Sequence, residues 1–322
     1  MKLFKSFKTG AVVAALFTSG MMITDAQALT VYTAGPGSLA KGLAAGFEKK
    51  TGVKVNVFQA TTGKVMARLE AEQANPQADI LVSASWETAL DLHERNWLLP
   101  YQSPNAEKVP ADLKSDDYVA QGISALGIVW NTKSGTPEPK DWQDLTNAAY
   151  KGKVTTPDPA LSGASLDLLI GLQNSMGENA WKLFSQLKDN GMVIAGPNAQ
   201  ALTPVLQGAK AAVFGAVDYV SYNSIQQGES VKVIFPESGT VVAPRPMMIM
   251  KSTQHADDAK AFIDYVLSEE GQQKVSDAWL MPARSDVGAK RPLLSDLKLF
   301  PAQEHANVDR GQVLQRFAAL FK

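Results

Sequence analysis

The sequence has 322 residues, 45% of them hydrophobic and 20% charged, with 31 Lys and Arg against 32 Asp and Glu and no Cys. That length exceeds what one hydrophobic core normally covers, so two lobes are expected, and the composition is that of a globular chain rather than a disordered, collagenous or coiled-coil one. The near-zero net charge leaves no footprint for nucleic acid or an anionic membrane, and the missing Cys excludes disulfides, thiolate metal sites, iron–sulfur clusters, cysteine nucleophiles and a lipid-modified N-terminal cysteine.

Lys2, Lys5 and Lys8 form a basic start, an apolar stretch over residues 11–23 follows, and Ala26-Gln27-Ala28 supplies a small-x-small cleavage pattern. The apolar stretch is shorter than the ~20 residues that span a bilayer. Residues 1–28 therefore read as an export signal cleaved after Ala28, which would release a free protein outside the cytoplasm.

Beyond it, apolar β-rich runs alternate with amphipathic helical ones, the pattern of a largely parallel α/β sheet. Residues 29–34 read as a strand. A helix over 39–50 carries Leu43 and Phe47 and stops at Thr51-Gly52, and 53–58 is a second strand with alternating Val53, Val55 and Val57. Thr61-Thr62-Gly63 opens a helix carrying Val65, Met66 and Leu69. Residues 78–82 are a third strand, and Ser83-Ala84-Ser85 opens the next helix. A long extended run over 118–131 precedes the turn-rich 133–140, a natural place to change lobe. The unit then resumes. Strands are expected over 153–156, 192–195, 211–217, 231–235 and 247–250, and helices from Ser162 through Leu172, over 180–188, from Asn198, over 257–274 and over 308–321.

Sheets of this kind bind ligands beyond the C-terminal ends of their strands. Here those junctions are rich in hydroxyls and amides: Ser38, Thr61, Thr62, Ser83, Ser85, Ser162, Ser165 and Asn198 all stand at or near predicted helix starts. A helix N-terminus offers unpaired N–H groups and the positive end of the dipole, so several converging on one cleft would suit a phosphate-like group. Each residue alone could equally be a helix cap. Asp218 and Glu237 each follow a strand end, where they would meet a cationic or hydroxyl group or act as a helix cap and a turn residue. Tyr219 and Tyr222 could supply hard oxygen donors to a metal, or pack one helical turn apart.

The absences carry weight as well. Gly63-Lys64 lacks the upstream Gly of a P-loop because Phe58 stands there, and Gly35-Pro36-Gly37-Ser38 lacks the dinucleotide spacing. Neither a G-x-S-x-G elbow nor an H-E-x-x-H pair occurs, and His93, His255 and His305 are far apart in sequence. No catalytic residues and no cofactor are expected.

In Thr30-Val31-Tyr32, Asn75-Pro76-Gln77-Ala78-Asp79 and Gly127-Ile128-Val129-Trp130-Asn131, among further segments, the chain resembles the solute-binding proteins of ABC importers, in the group of ferric-iron, 2-aminoethylphosphonate and sugar-phosphate binders. The resemblance covers nearly the whole chain after residue 28. Its further marks include Phe47-Glu48-Lys49-Lys50-Thr51-Gly52-Val53, Asp141-Trp142-Gln143-Asp144-Leu145 and Leu267-Ser268-Glu269-Glu270-Gly271. It implies an α/β, two-lobed periplasmic-binding-protein fold of type II that closes on a ligand in the inter-lobe cleft. The first lobe would comprise residues 29–125 and 241–290, the second 126–240, with a C-terminal helical segment over 291–322.

The resemblance also implies a periplasmic monomer that hands a small anionic solute to permease subunits, without nucleic acid and without inserting in the membrane. Thr61-Thr62-Gly63, Ser162-Gly163-Ala164-Ser165 and Asn198 stand where relatives place phosphate-coordinating loops, and residues 281–287 look like those of the 2-aminoethylphosphonate binders. Ferric binders of the group carry two adjacent Tyr residues late in the second lobe. This chain has Val217-Asp218-Tyr219-Val220 there and its next Tyr at 222. The expected function is capture of a small phosphonate or phosphorylated organic solute. The alternatives are ferric iron held by Tyr219 and Tyr222, and, in another class, a secreted phosphoesterase-like enzyme.

Overall fold

The computed structural model describes residues 28–300 and 309–322, so the expected export signal lies outside the described residues apart from Ala28. The first three strands, β1 (Leu29–Thr33), β2 (Val55–Gln59) and β3 (Ile80–Val82), run parallel. They alternate with α1 (Gly37–Thr51), α2 (Thr62–Ala71) and α3 (Trp86–Glu94). Helix α1 forms because Leu39, Leu43, Ala44 and Phe47 fall on one face and are buried, with Lys49 and Lys50 at the negative end of its dipole.

Strand β4 (Tyr118–Asn131) follows, its residues buried from Val119 to Asn131. The second run of units is β5 (Val154–Thr156), α4 (Gly163–Met176), α5 (Glu178–Asp189), β6 (Val193–Ile194), α6 (Asn198–Leu206), β7 (Ala212–Val217) and α7 (Asp218–Gln226). After β8 (Val231–Ile234), strand β9 (Val242–Ile249) returns to the first set, followed by α8 (Ala256–Val266), α9 (Glu269–Asp277), β10 (Met281–Pro282) and α10 (Arg310–Leu320).

The sheet order is β2-β1-β3-β9-β4-β7-β5-β6, with β10 and β8 each paired to β4. Within this order β1, β2 and β3 are mutually parallel, as are β5, β6 and β7, whereas β4 and β9 run antiparallel to their neighbours. Strand β4 belongs to both halves. Tyr118 to Ala125 pair with β9, and Leu126 to Asn131 pair with β7 and β8. Two lobes therefore share two crossing strands.

Each lobe has apolar packing on both faces of its sheet. In the first, Leu43, Phe47, Ile80, Ile123 and Phe262 fill one side, and Tyr32, Val65, Leu81, Leu92 and Met248 the other. In the second, Trp142, Leu168, Phe184 and Phe214 fill one side, and Val129, Val205 and Val213 the other. Helix α10 adds Val313 and Phe317 to this second core. Burying surface on both faces is what parallel strands require, and it explains their unbroken apolar runs.

Two expected elements differ from the structure. The single helix over 257–274 is two helices, because Ser268 caps the second: its hydroxyl accepts from the Gly271 N–H at 3.2 Å. The strand expected over 247–250 begins earlier, at Val242, and runs through Pro244 and Pro246. Those prolines lie opposite Ile123 and Ala120, on either side of a register shift in β4, where a missing N–H donor is tolerated. Among the described residues, no helix is long and apolar enough to cross a membrane.

Candidate functional site

The C-terminal ends of β1, β2 and β3 lead into the starts of α1, α2 and α3, and the ends of β5, β6 and β7 lead into α4, α6 and α7. The two sets of helix starts meet across the lobes. A Cβ on Gly163, at the start of α4, would lie 2.8 Å from the Thr62 hydroxyl and 2.9 Å from Ser85 Cβ, so only Gly fits this approach. A Cβ on Gly63 would meet the Ala160 carbonyl oxygen at 2.7 Å. The cleft is closed along this line.

Thr62, Ser85, Ser162 and Asn198 are brought together at this contact. Ser85 is fully buried and donates to Asp167 Oδ1 across the lobes at 2.5 Å. Ser162 caps α4 by accepting from the Ser165 N–H, and its hydroxyl donates to Asn198 Oδ1 at 3.0 Å, joining the starts of α4 and α6. Thr61 occupies the cap position of α2, where its carbonyl accepts from the Val65 N–H but its side chain makes no cap bond, and its buried Oγ1 has no partner. A buried hydroxyl without a partner is costly, which sets Thr61 apart from the bonded hydroxyls around it.

The other expected residues serve nearby or elsewhere. Ser165 donates to the Pro157 carbonyl, and Ser83 donates to Thr88 while accepting from the Ser85 N–H, so both shape the junction loops. Ser38 is exposed in the first turn of α1. Asp218 is buried, and its carboxylate accepts from the Ala125 and Tyr219 N–H groups and from Arg291 Nη2 at 2.5 Å. Burial pushes the Asp218 carboxyl up, opposed by Arg291 and the two N–H donors. Glu237 lies in an exposed turn, where its N–H bonds to the Lys140 carbonyl and its own carbonyl accepts from Lys298.

The two tyrosines face different neighbours. The Tyr219 ring packs against the cores of both lobes, with the Arg245 guanidinium 5.0 Å from its centre. Tyr222 stacks on Trp279 at 5.8 Å, beside Arg291. Burial pushes the Tyr222 phenol up to about 12, with Arg291 opposing. Among the described residues, no three His, Asp or Glu side chains gather as a metal site would need.

Arg245, on β9, was not singled out by sequence reasoning. It is 1% exposed, yet no carboxylate among the described residues pairs with it. Its Nη1 donates to the Ala34 carbonyl at 3.4 Å, and its buried Nε has no partner. Gly35 adjoins it: a Cβ there would stand 3.1 Å from Thr33 Oγ1, 3.9 Å from Arg245 Nη1 and 4.0 Å from Gln121 Oε1. The end of β1, both crossing strands and the first turn of α7 thus meet around one guanidinium. The available signal was a lone charge inside the apolar run Val241–Met250, which a buried strand does not otherwise carry.

Asp167 is the second titratable group sequence reasoning passed over. Burial pushes its carboxyl up to about 7, with Ser85 and Arg310 opposing and Glu87 reinforcing.

Two lobes sharing crossing strands and closing over facing helix starts define the architecture, and residues 75–303 match the family of bacterial extracellular solute-binding proteins. The chain belongs to that family. A candidate 2-aminoethylphosphonate-binding periplasmic protein of Salmonella typhimurium is 26% identical over 262 residues, 75% of this chain and 73% of the relative. Among solved structures, fructose-6-phosphate-bound AfuA from Actinobacillus pleuropneumoniae matches with a TM-score of 0.78 at 23% identity, over 91% of this chain and 96% of that one. Iron-bound HitA from Pseudomonas aeruginosa matches with a TM-score of 0.82 at 20% identity, over 91% and 99%. The fold of this solute-binding protein is the type II periplasmic-binding-protein fold.

Proposed function

We propose that this solute-binding protein captures a small phosphonate or phosphorylated organic solute, such as 2-aminoethylphosphonate, in the periplasm and presents it to the permease of an ABC importer. The observation that carries this reading is the meeting of α2, α4 and α6 through Thr61, Thr62, Ser162 and Asn198, with the Thr61 hydroxyl buried and unpartnered. Backbone N–H groups and hydroxyls at helix starts hold a tetrahedral oxyanion without a basic surface patch, which agrees with the near-neutral composition.

The solute is drawn into the crevice while the lobes are apart. It is enclosed as the crossing strands bend, and the closed form reports occupancy to the permease. No bond is made or broken. Residues 1–28 act as a cleavable export signal, and the mature chain works as a monomer.

The ferric alternative requires Tyr219 and Tyr222 as phenolates on one ion. Their rings instead face Arg245 and Arg291, and burial holds the Tyr222 phenol protonated. Thermal-shift screening of residues 29–322 tests the reading with 2-aminoethylphosphonate, fructose 6-phosphate, inorganic phosphate and ferric citrate. A ligand at ~100 times its dissociation constant adds about 2.7 kcal/mol of stability. Thr62→Ala and Ser162→Ala are expected to abolish the shift, and stabilisation by ferric citrate alone would overturn the anion reading.

A further inference from the structure

We propose that Arg245 is the specificity-determining residue of the cleft, taking the anionic group of the solute on the free edge of its guanidinium. The proposal rests on the inter-lobe cleft being the solute site, as argued above, and adds the residue that sets the sign of the ligand's charge.

A guanidinium removed from water needs a counter-charge or a full set of acceptors. Arg245 has neither. Among the described residues its hydrogen bonding is one long contact from Nη1 to Ala34, and its guanidinium lies 5.0 Å from the centre of the Tyr219 ring. The other buried arginine, Arg291, shows the contrast, with Nε, Nη1 and Nη2 all bonded and Asp218 as its counter-ion. The Nε of Arg245, on the edge of the guanidinium that grips an oxyanion with two parallel bonds, is buried without a partner.

Its position fits this use. Arg245 lies on a crossing strand, between the junction loop after β1 in the first lobe and the first turn of α7 in the second, so a group held there touches both lobes. Gly35, with no side chain, and Gln121 complete a polar seat around it. A phosphonate or phosphate ester gains a charge-assisted, two-pronged contact in this seat, whereas an uncomplexed metal cation meets a fixed positive charge in a low-dielectric environment.

The test compares Arg245→Gln and Arg245→Lys with the unsubstituted protein, over residues 29–322. Affinities for 2-aminoethylphosphonate, fructose 6-phosphate and ferric citrate are measured by calorimetric titration, together with the melting temperature of each ligand-free protein. Arg245→Gln is expected to weaken binding of the anionic probe about 100-fold or more. Arg245→Lys, which keeps the charge but loses the fork, is expected to weaken it about tenfold. The ligand-free melting temperature of the Gln variant should equal or exceed that of the unsubstituted protein, because it removes a buried charge without a counter-ion.

Unchanged anion affinity in Arg245→Gln overturns the proposal. If Thr62→Ala still abolishes binding, the function assigned to the cleft survives that result. A lowered melting temperature with unchanged affinity would make Arg245 structural and also overturns it. Should the Gln variant fail to fold, unchanged affinity in Arg245→Lys decides against it and a tenfold loss decides for it. Binding of ferric citrate alone by the unsubstituted protein overturns the functional reading and this proposal together.

Discussion

Asp167 gives the stability of this protein one pH-dependent contribution whose sign and rough size follow from its burial. Its carboxyl receives the Ser85 hydroxyl across the lobes, while its buried Oδ2 has no partner. Burial moves it from an ordinary 3.8 up to about 7; Glu87 adds to the shift, and Arg310 and the Ser85 bond oppose it. Between about pH 4 and pH 7 the folded protein keeps a proton that the unfolded chain has released, so this group's contribution is full at acid pH and falls by about 1.4 kcal/mol per pH unit. The loss is complete just above pH 7 and totals roughly 4 kcal/mol. Asp167→Asn retains an acceptor for Ser85 and removes the titration. Urea unfolding of both proteins at pH 4.5, 6, 7 and 8 measures the effect, and taking the difference cancels the other titrating groups. The Asn variant should gain on the unsubstituted protein as pH rises and be the more stable at pH 8. A pH-independent difference, or an Asn variant that is less stable at pH 8, would refute the reasoning.

Gly163→Ala places a methyl 2.8 Å from Thr62 Oγ1. It is expected to hold the lobes apart and weaken solute binding at least tenfold, an effect of about 1.4 kcal/mol that calorimetric titration would resolve, while leaving the circular dichroism spectrum unchanged. Arg291→Met strips the counter-ion from buried Asp218 and is expected to cost about 3–5 kcal/mol in denaturant unfolding, most of it recovered by adding Asp218→Asn. Recovery of less than half would show that the ion pair is not the cause.

The elements that read clearly from sequence are those whose signal is local. Leu43, Phe47 and Gly52 announce α1 and its end, and the unbroken apolar runs announce the buried strands. Strand β9 was legible only in its last residues because Pro244, Arg245 and Pro246 imitate a loop, and they are compatible with a strand only beside the register shift of β4. The break between α8 and α9 depends on one capping serine inside an otherwise helical pattern.

For the site, Ser and Thr at the helix starts were visible, but their roles were not. The Ser162 side chain caps its helix and reaches Asn198, the Thr61 side chain makes no cap bond, and Ser85 turns across the cleft to Asp167. Those differences arise from contacts between residues 36 and 82 positions apart, to which periodicity is blind. Arg245 was hidden for the same reason, since a lone charge acquires meaning only when nothing is found beside it.

The most direct measurement is a calorimetric titration of the mature chain with 2-aminoethylphosphonate, fructose 6-phosphate and ferric citrate. The expected result is saturable one-site binding of a phosphonate or phosphate ester that is lost in Thr62→Ala and Ser162→Ala. Binding of ferric citrate alone, undisturbed by those two substitutions, would contradict it.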